Sequence, residues 1–175
     1  MPKKSLSSTS PRFIETPDEM RFVSEAKDAV HKLLKLKLPK ELTSVLLDAL
    51  LWQITVAHGK YKTRFRSKAI VEPLEPIHEL RHDHVFTRKS LKRQLLQPAC
   101  DEKRVAEILE CAIACTITKK EHDALTNKDE GWERYRHSGI VVYDCSGPKP
   151  VLCAIDELVQ RFPPLQNVSH VEASI

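Results

Sequence analysis

The feature that most constrains this chain is a change of period at Gly59. Upstream, apolar residues recur at helical spacing. Phe22, Val23, Ala26, Val30, Leu33 and Leu34 share one face of a first helix. Thr16, Pro17 and Glu19 supply its capping box and first-turn proline. A second helix opens at Pro39, with Gly59 just past its end. Leu42, Val45, Leu46, Ala49, Leu50, Trp52, Ile54 and Val56 make it apolar on most sides, the pattern of a helix central to a core. Downstream the helical period is gone. Lys60, Lys62, Arg64, Arg66 and Lys68 alternate without a gap, and Pro73 and Pro76 forbid a long helix. One chain must therefore combine a helical hairpin with extended structure.

The remainder extends this mixture. Thr87 caps a short basic helix from Arg88 to Leu96, and Asp101 caps another carrying Val105, Ile108, Leu109 and Ala112. Residues 115–118 alternate as a strand, and Thr118 with Glu121 forms a second capping box. Gly131 to His137 suits a short helix, 140–143 a strand, and 151–155 a strand returning across a Ser146-Gly147-Pro148 turn. Asp156 caps a last helix to Phe162. The expectation is an α+β class, predominantly helical, with an N-terminal helical hairpin and a small antiparallel sheet. Residues 1–15 read as a basic, Ser-rich disordered arm and 163–175 as a flexible tail. Between them lies one domain, 16–162: the hairpin over 16–58, the basic strand, loop and helix over 60–100, and a helix with the small sheet over 101–162. At 175 residues the chain is long enough to bury a core without disulfides.

Composition narrows the setting. No run approaches a membrane span, and the N-terminus lacks the apolar stretch of a signal peptide. Five cysteines without regular spacing point to free thiols in a reducing, cytoplasmic compartment. Cys111, Cys115, Cys145 and Cys153 do not have zinc-knuckle spacing, which argues against structural zinc. There is no nucleotide-binding glycine loop, nucleophile elbow, CxxC or HExxH.

Charge is the uneven quantity. The net charge is +4, yet residues 60–104 hold twelve basic against six acidic residues. In one extended strand Lys60, Lys62, Arg64, Arg66 and Lys68 would share a face at ~6.6 Å intervals, close to phosphate spacing along a nucleic-acid strand. Tyr61 and Phe65 would face the other way, as base-stacking groups or anchors to the core. Arg88, Lys89, Lys92 and Arg93 add a basic helical face. The same alternation describes a solvated edge strand whose lysines prevent aggregation.

His78, Glu79, His82, Asp83 and His84 crowd imidazoles and carboxylates together, and His122 follows on a later helix. Such groups suit a divalent ion or an activated water. Asp83-His84-Val85, with His122 beyond it, resembles the outline of the HNH, or His-Me finger, nucleases. The resemblance implies Asp83 and His122 as ligands of Mg2+ or Mn2+, and His84 as the general base. It makes the basic strand the group that positions phosphates. Two readings stand side by side. One is a nucleic-acid-binding protein, for DNA or RNA, with a metal-dependent phosphodiesterase site in its sharper form. The other is a non-enzymatic interaction module whose basic stripe meets an acidic protein partner and whose histidines are structural. Neither involves a membrane.

Overall fold

A computed structural model describes residues 12–73, 79–126 and 129–165. Its fold is α+β, with eight helices and a five-stranded sheet among the described residues. Helix α1 (Pro17–Lys35) starts at a complete capping box. The Thr16 hydroxyl accepts from Glu19 N at 3.2 Å, and the Glu19 carboxylate accepts from Thr16 N at 2.8 Å. Its inner face buries Ala26, Val30 and Leu33. Helix α2 (Lys40–Val56) packs against α1. It buries Thr43, Leu47, Leu51, Ile54 and Thr55.

The rest of α2 departs from the expectation of a central helix. Leu42, Val45 and Leu46 are exposed, and so is Ala49. The helix lies at the periphery, because α1 and the later elements cover one side of it only.

The strands and short helices follow as β1 (Phe65–Ser67), α3 (Lys68–Val71), β2 (Leu80–His84), α4 (Arg88–Leu95) and α5 (Glu102–Glu110). Then come β3 (Ala114–Thr118), α6 (Lys119–Ala124), α7 (Trp132–His137), β4 (Val142–Asp144), β5 (Val151–Leu152) and α8 (Ile155–Arg161). Sheet order is β2-β3-β1-β4-β5. The β4–β5 hairpin forms as its turn signals require, with Tyr143 opposite Leu152 and Asp144 opposite Val151. The sheet is mixed, not wholly antiparallel, since β1 runs parallel to β3. A parallel pair needs a long crossover, and α3, β2, α4 and α5 supply it.

The extended strand expected over 60–68, with its five alternating cations, does not form over that length. Only Phe65–Ser67 is strand. Gly59, at φ +94°, turns the chain out of α2, and Lys62 N donates to Gly59 O at 2.9 Å. Thr63 then folds its hydroxyl onto Phe65 O at 2.6 Å, and Lys68 opens α3. The five cations therefore do not share one extended face.

The described stretches flanking the domain, 12–15 and 163–165, contact the core. Phe13 is buried, donates its N–H to Cys145 O at 2.7 Å, and sets its ring edge-on to His58. His58 lies 3.3 Å from carboxylate oxygens of both Glu15 and Glu19. Leu165 is buried with the core cluster. Residues 1–11, 166–175 and His78 lie outside the described residues.

Trp132, Tyr135, Phe86, Leu91, Ile108 and Ile117 fill the centre of the core. Gly131 enters α7 at φ +66°, and a Cβ there would lie 2.6 Å from the Phe86 ring. Only glycine serves both the backbone angle and the close approach.

Candidate functional site

Strand β2 decides the site, because its side chains alternate between two environments. Its register sets Asp83 opposite Cys115, while His82 and His84 lie opposite Thr116 and Ala114.

On the other side Asp83 is buried, with its carboxylate held by α7. Arg134 approaches both carboxylate oxygens, at 3.3 and 3.4 Å, and Tyr135 donates its hydroxyl at 2.7 Å. The same guanidinium donates to His84 O at 3.2 Å, so it ties the β2 backbone to α7. Burial pushes the Tyr135 hydroxyl and the Cys115 thiol well above their ordinary values, with Asp83 acting in the same direction. His122 reaches this carboxylate from the solvent side, with Nε2 at 3.8 Å from Oδ1. Next to it, Glu121 accepts from Thr118 N at 2.8 Å and from Ser67 Oγ at 2.7 Å, which joins α6 to β1.

The opposite side of β2 faces α2, α4 and the 60-loop. Thr55 donates its hydroxyl to Trp52 O at 3.0 Å, leaving its oxygen to accept from His84 Nε2 at 3.0 Å. Burial, with His82 and Arg88 adding repulsion, lowers the His84 imidazole to about 3. His82 donates from Nδ1 to Lys60 O at 2.5 Å, and burial lowers its pKa as well. Burial thus disfavours the charged form of both rings. Their centroids lie 5.0 Å apart, and each is 5.5 Å from the Trp52 ring. The Arg88 guanidinium lies 5.0 Å over Trp52. Asp48 holds Arg88 at 2.9 Å and Lys92 at 3.0 Å.

The structure divides the residues singled out by sequence into three groups. Lys60 and Lys62 are exposed on the 60-loop, and Lys89 and Arg93 are exposed on α4. Of the α4 cations, Arg88 lies over Trp52, and Lys92 shares the Asp48 carboxylate with it. Arg64, Arg66 and Lys68 are placed elsewhere. Arg64 forms a forked pair with Asp144, with Nε at 2.9 Å and Nη2 at 2.5 Å from one oxygen. Arg66 is 2% exposed, with Nε donating to Thr63 O at 3.1 Å. Lys68 stands on α3, 3.9 Å from Glu72. Phe65 is buried 5.1 Å from the Trp132 ring, and Tyr61 is half-buried beneath the Lys60 ammonium.

The three residues carried over for a metal site are split. Asp83 and His122 meet, but His84 turns to the other face of β2 and bonds Thr55. Arg134 and Tyr135 already occupy the Asp83 oxygens. These residues do not fit a Mg2+ or Mn2+ ion held by all three. Among the described residues, no three His, Cys, Asp or Glu side chains form a group that could hold a metal.

Sequence reasoning missed Trp52, Thr55 and Asp48. The signal for Asp48 was present: it is a carboxylate inside the apolar run of α2. Trp52 carried no separate signal, because at helical spacing it looks like another core residue. No helix among the described residues is long and apolar enough to cross a membrane. Comparison with family models, curated proteins and solved structures finds no match to this chain, so its function must be argued from the geometry above.

Proposed function

We propose that this protein binds nucleic acid through the surface where the 60-loop and α4 meet at Trp52. The observation that carries the reading is the meeting of the 60-loop, whose Lys60 carbonyl accepts from His82, with Arg88 of α4 over Trp52, beside the paired His82 and His84 rings. Exposed Lys62, Lys89 and Arg93 widen the cationic surface. Ammonium and guanidinium groups meet phosphates. The aromatic edges beside them offer contact area to bases, the combination that single-strand binders use. Arg88 is held over Trp52 and by Asp48, so little side-chain freedom remains to be lost on binding. The reading contains no cleavage step, because the groups such a step would use lie on two faces of β2.

The test is fluorescence anisotropy of a labelled single-stranded oligonucleotide, in DNA and RNA versions, across a salt series. Affinity should fall steeply with salt. Lys60→Ala combined with Arg88→Ala should reduce the slope of log K against log salt by about 1.4, roughly 0.7 for each single-strand phosphate contact removed. Absence of binding at low salt would overturn the reading. So would equal competition by polyglutamate, which would assign the surface to an acidic protein.

A further inference from the structure

The chain leaves α2 through a tight turn at Gly59, whose φ is +94° and whose carbonyl accepts from Lys62 N at 2.9 Å. Residues 60–63 belong to no strand, and side chains of the sheet hold them in place. At the far end Thr63 is buried. Its hydroxyl oxygen accepts from Thr116 N at 3.0 Å and lies 2.7 Å from the Thr116 hydroxyl. At the near end the Lys60 carbonyl accepts from His82 Nδ1 at 2.5 Å. His82 and Thr116 stand opposite each other on β2 and β3, so one cross-strand pair holds both ends of the turn. Between these points Lys60 and Lys62 are exposed and Tyr61 is half-buried.

The two fastenings are unequal. Thr63 and Thr116 are both buried and bonded to each other. Lys60 is exposed, and a single imidazole N–H holds its carbonyl. A carbonyl only accepts, so Nδ1 carries the hydrogen and Nε2 is left with a lone pair. That Nε2 is buried without a hydrogen-bond partner. An unpartnered buried nitrogen destabilises a fold, so packing against Trp52 and His84 does not by itself account for a histidine here. What the imidazole adds to a plain ring is the N–H at Lys60 O.

We infer that His82 is a positioning residue. Its Nδ1–H latches the 60–62 turn and so sets where Lys60 and Lys62 present their ammonium groups. The consequence for nucleic acid rests on the binding proposed above, whereas the latch itself does not. A latched turn meets a polyanion already ordered, and a free turn must be ordered on binding.

Two variants of the full chain separate the N–H from the ring. His82→Phe keeps a ring against Trp52 and removes the donor. His82→Asn removes the ring and keeps a donor at the δ position. Limited trypsin digestion, read by mass spectrometry, reports the latch without any ligand. Cleavage after Lys60 and Lys62 should be about five- to tenfold faster in His82→Phe and near native in His82→Asn. Cleavage after Lys37, exposed at the other end of α2, should be unchanged in both. Affinity for the single-stranded oligonucleotide should fall about three- to tenfold in His82→Phe and recover in His82→Asn. The salt slope of His82→Phe should stay native, because both lysines remain, whereas Lys60→Ala should lower it by about 0.7. Native cleavage and native affinity in His82→Phe would overturn the inference. So would equal effects of the two variants, which would assign the role to ring packing. Faster cleavage of His82→Phe in a protein that binds no oligonucleotide would uphold the latch and remove the nucleic-acid reading instead.

Discussion

His82, Asp83 and His84 are consecutive in sequence and belong to opposite worlds in the fold. Asp83 is closed in by Arg134, Tyr135 and Cys115, with its carboxylate oxygens engaged. Its two neighbours line a cluster of rings and cations that opens toward solvent at Lys60 and Arg88. One side of β2 is engaged in buried ionic and hydrogen-bonded contacts, and the other borders the Trp52 cluster. A three-residue motif read as one site is thus divided by the alternation of the strand that carries it.

The largest effect should separate the two arginines. Arg134 and Asp83 are each 7% exposed in their side chains, so Arg134→Ala strands a buried carboxylate. That should cost about 3–5 kcal/mol of unfolding free energy, read from urea midpoints. Arg88→Ala, on the open side, should stay within about 1 kcal/mol, because its ion pair with Asp48 is about one-third exposed. Equal losses at the two arginines would break the distinction. Asp83→Leu combined with Arg134→Met should recover much of the loss, since removing both charges leaves neither one stranded.

The same division explains what could be read in the sequence. The capping boxes at Thr16–Glu19 and Thr118–Glu121 are local, with both partners three residues apart, and both form. The β4–β5 hairpin is equally local. Alternation along β2 puts His82 and His84 on one face, with Asp83 on the other. The basic stripe failed because burial of Arg66 and pairing of Arg64 depend on distant groups. Asp144 is 80 residues from Arg64, and Thr116, which bonds the Thr63 beside Arg66, is 53 from that threonine. Nothing within 60–68 announces either partner. For the same reason α2 looked central: its composition says how much apolar surface it carries, not how much of it the rest of the chain covers. Asp83 was singled out as an ion ligand, whereas its cationic partner is Arg134, 51 residues away.

A middle-sized effect should appear with pH, again on the open side of β2. In the fold the His84 ring stays neutral down to about 3, against 6.5 for an ordinary histidine. Above pH 6.5 both folded and unfolded chains carry it neutral, and the full stability is present. As pH falls from 6.5 toward 3 the unfolded chain binds a proton that the folded one refuses, so stability is lost. At pH 5 the loss should be about 2 kcal/mol relative to pH 7. His82, also lowered by burial, acts with the same sign. His84→Asn, which keeps a donor near Thr55, should flatten this part of the pH profile in urea denaturation. Unchanged acid sensitivity in His84→Asn would place the titrating group elsewhere.

The smallest effect is the most informative about binding. Asp48 lies between Arg88 and Lys92 at 2.9 and 3.0 Å, the position a phosphate oxygen would take if both cations served nucleic acid. In the proposed function the carboxylate competes with phosphate while holding the two cations in place. Competition should dominate, because Arg88 is also held by Trp52 and by the Asp48 carbonyl at 3.5 Å, contacts that Asp48→Asn retains. Asp48→Asn should therefore tighten oligonucleotide binding by about three- to tenfold, with a salt slope steeper by about one. A weaker complex would mean that the carboxylate's positioning of Arg88 and Lys92 outweighs its competition. An unchanged affinity, alongside normal loss in Lys60→Ala, would remove Arg88 and Lys92 from the binding surface and confine it to the 60-loop.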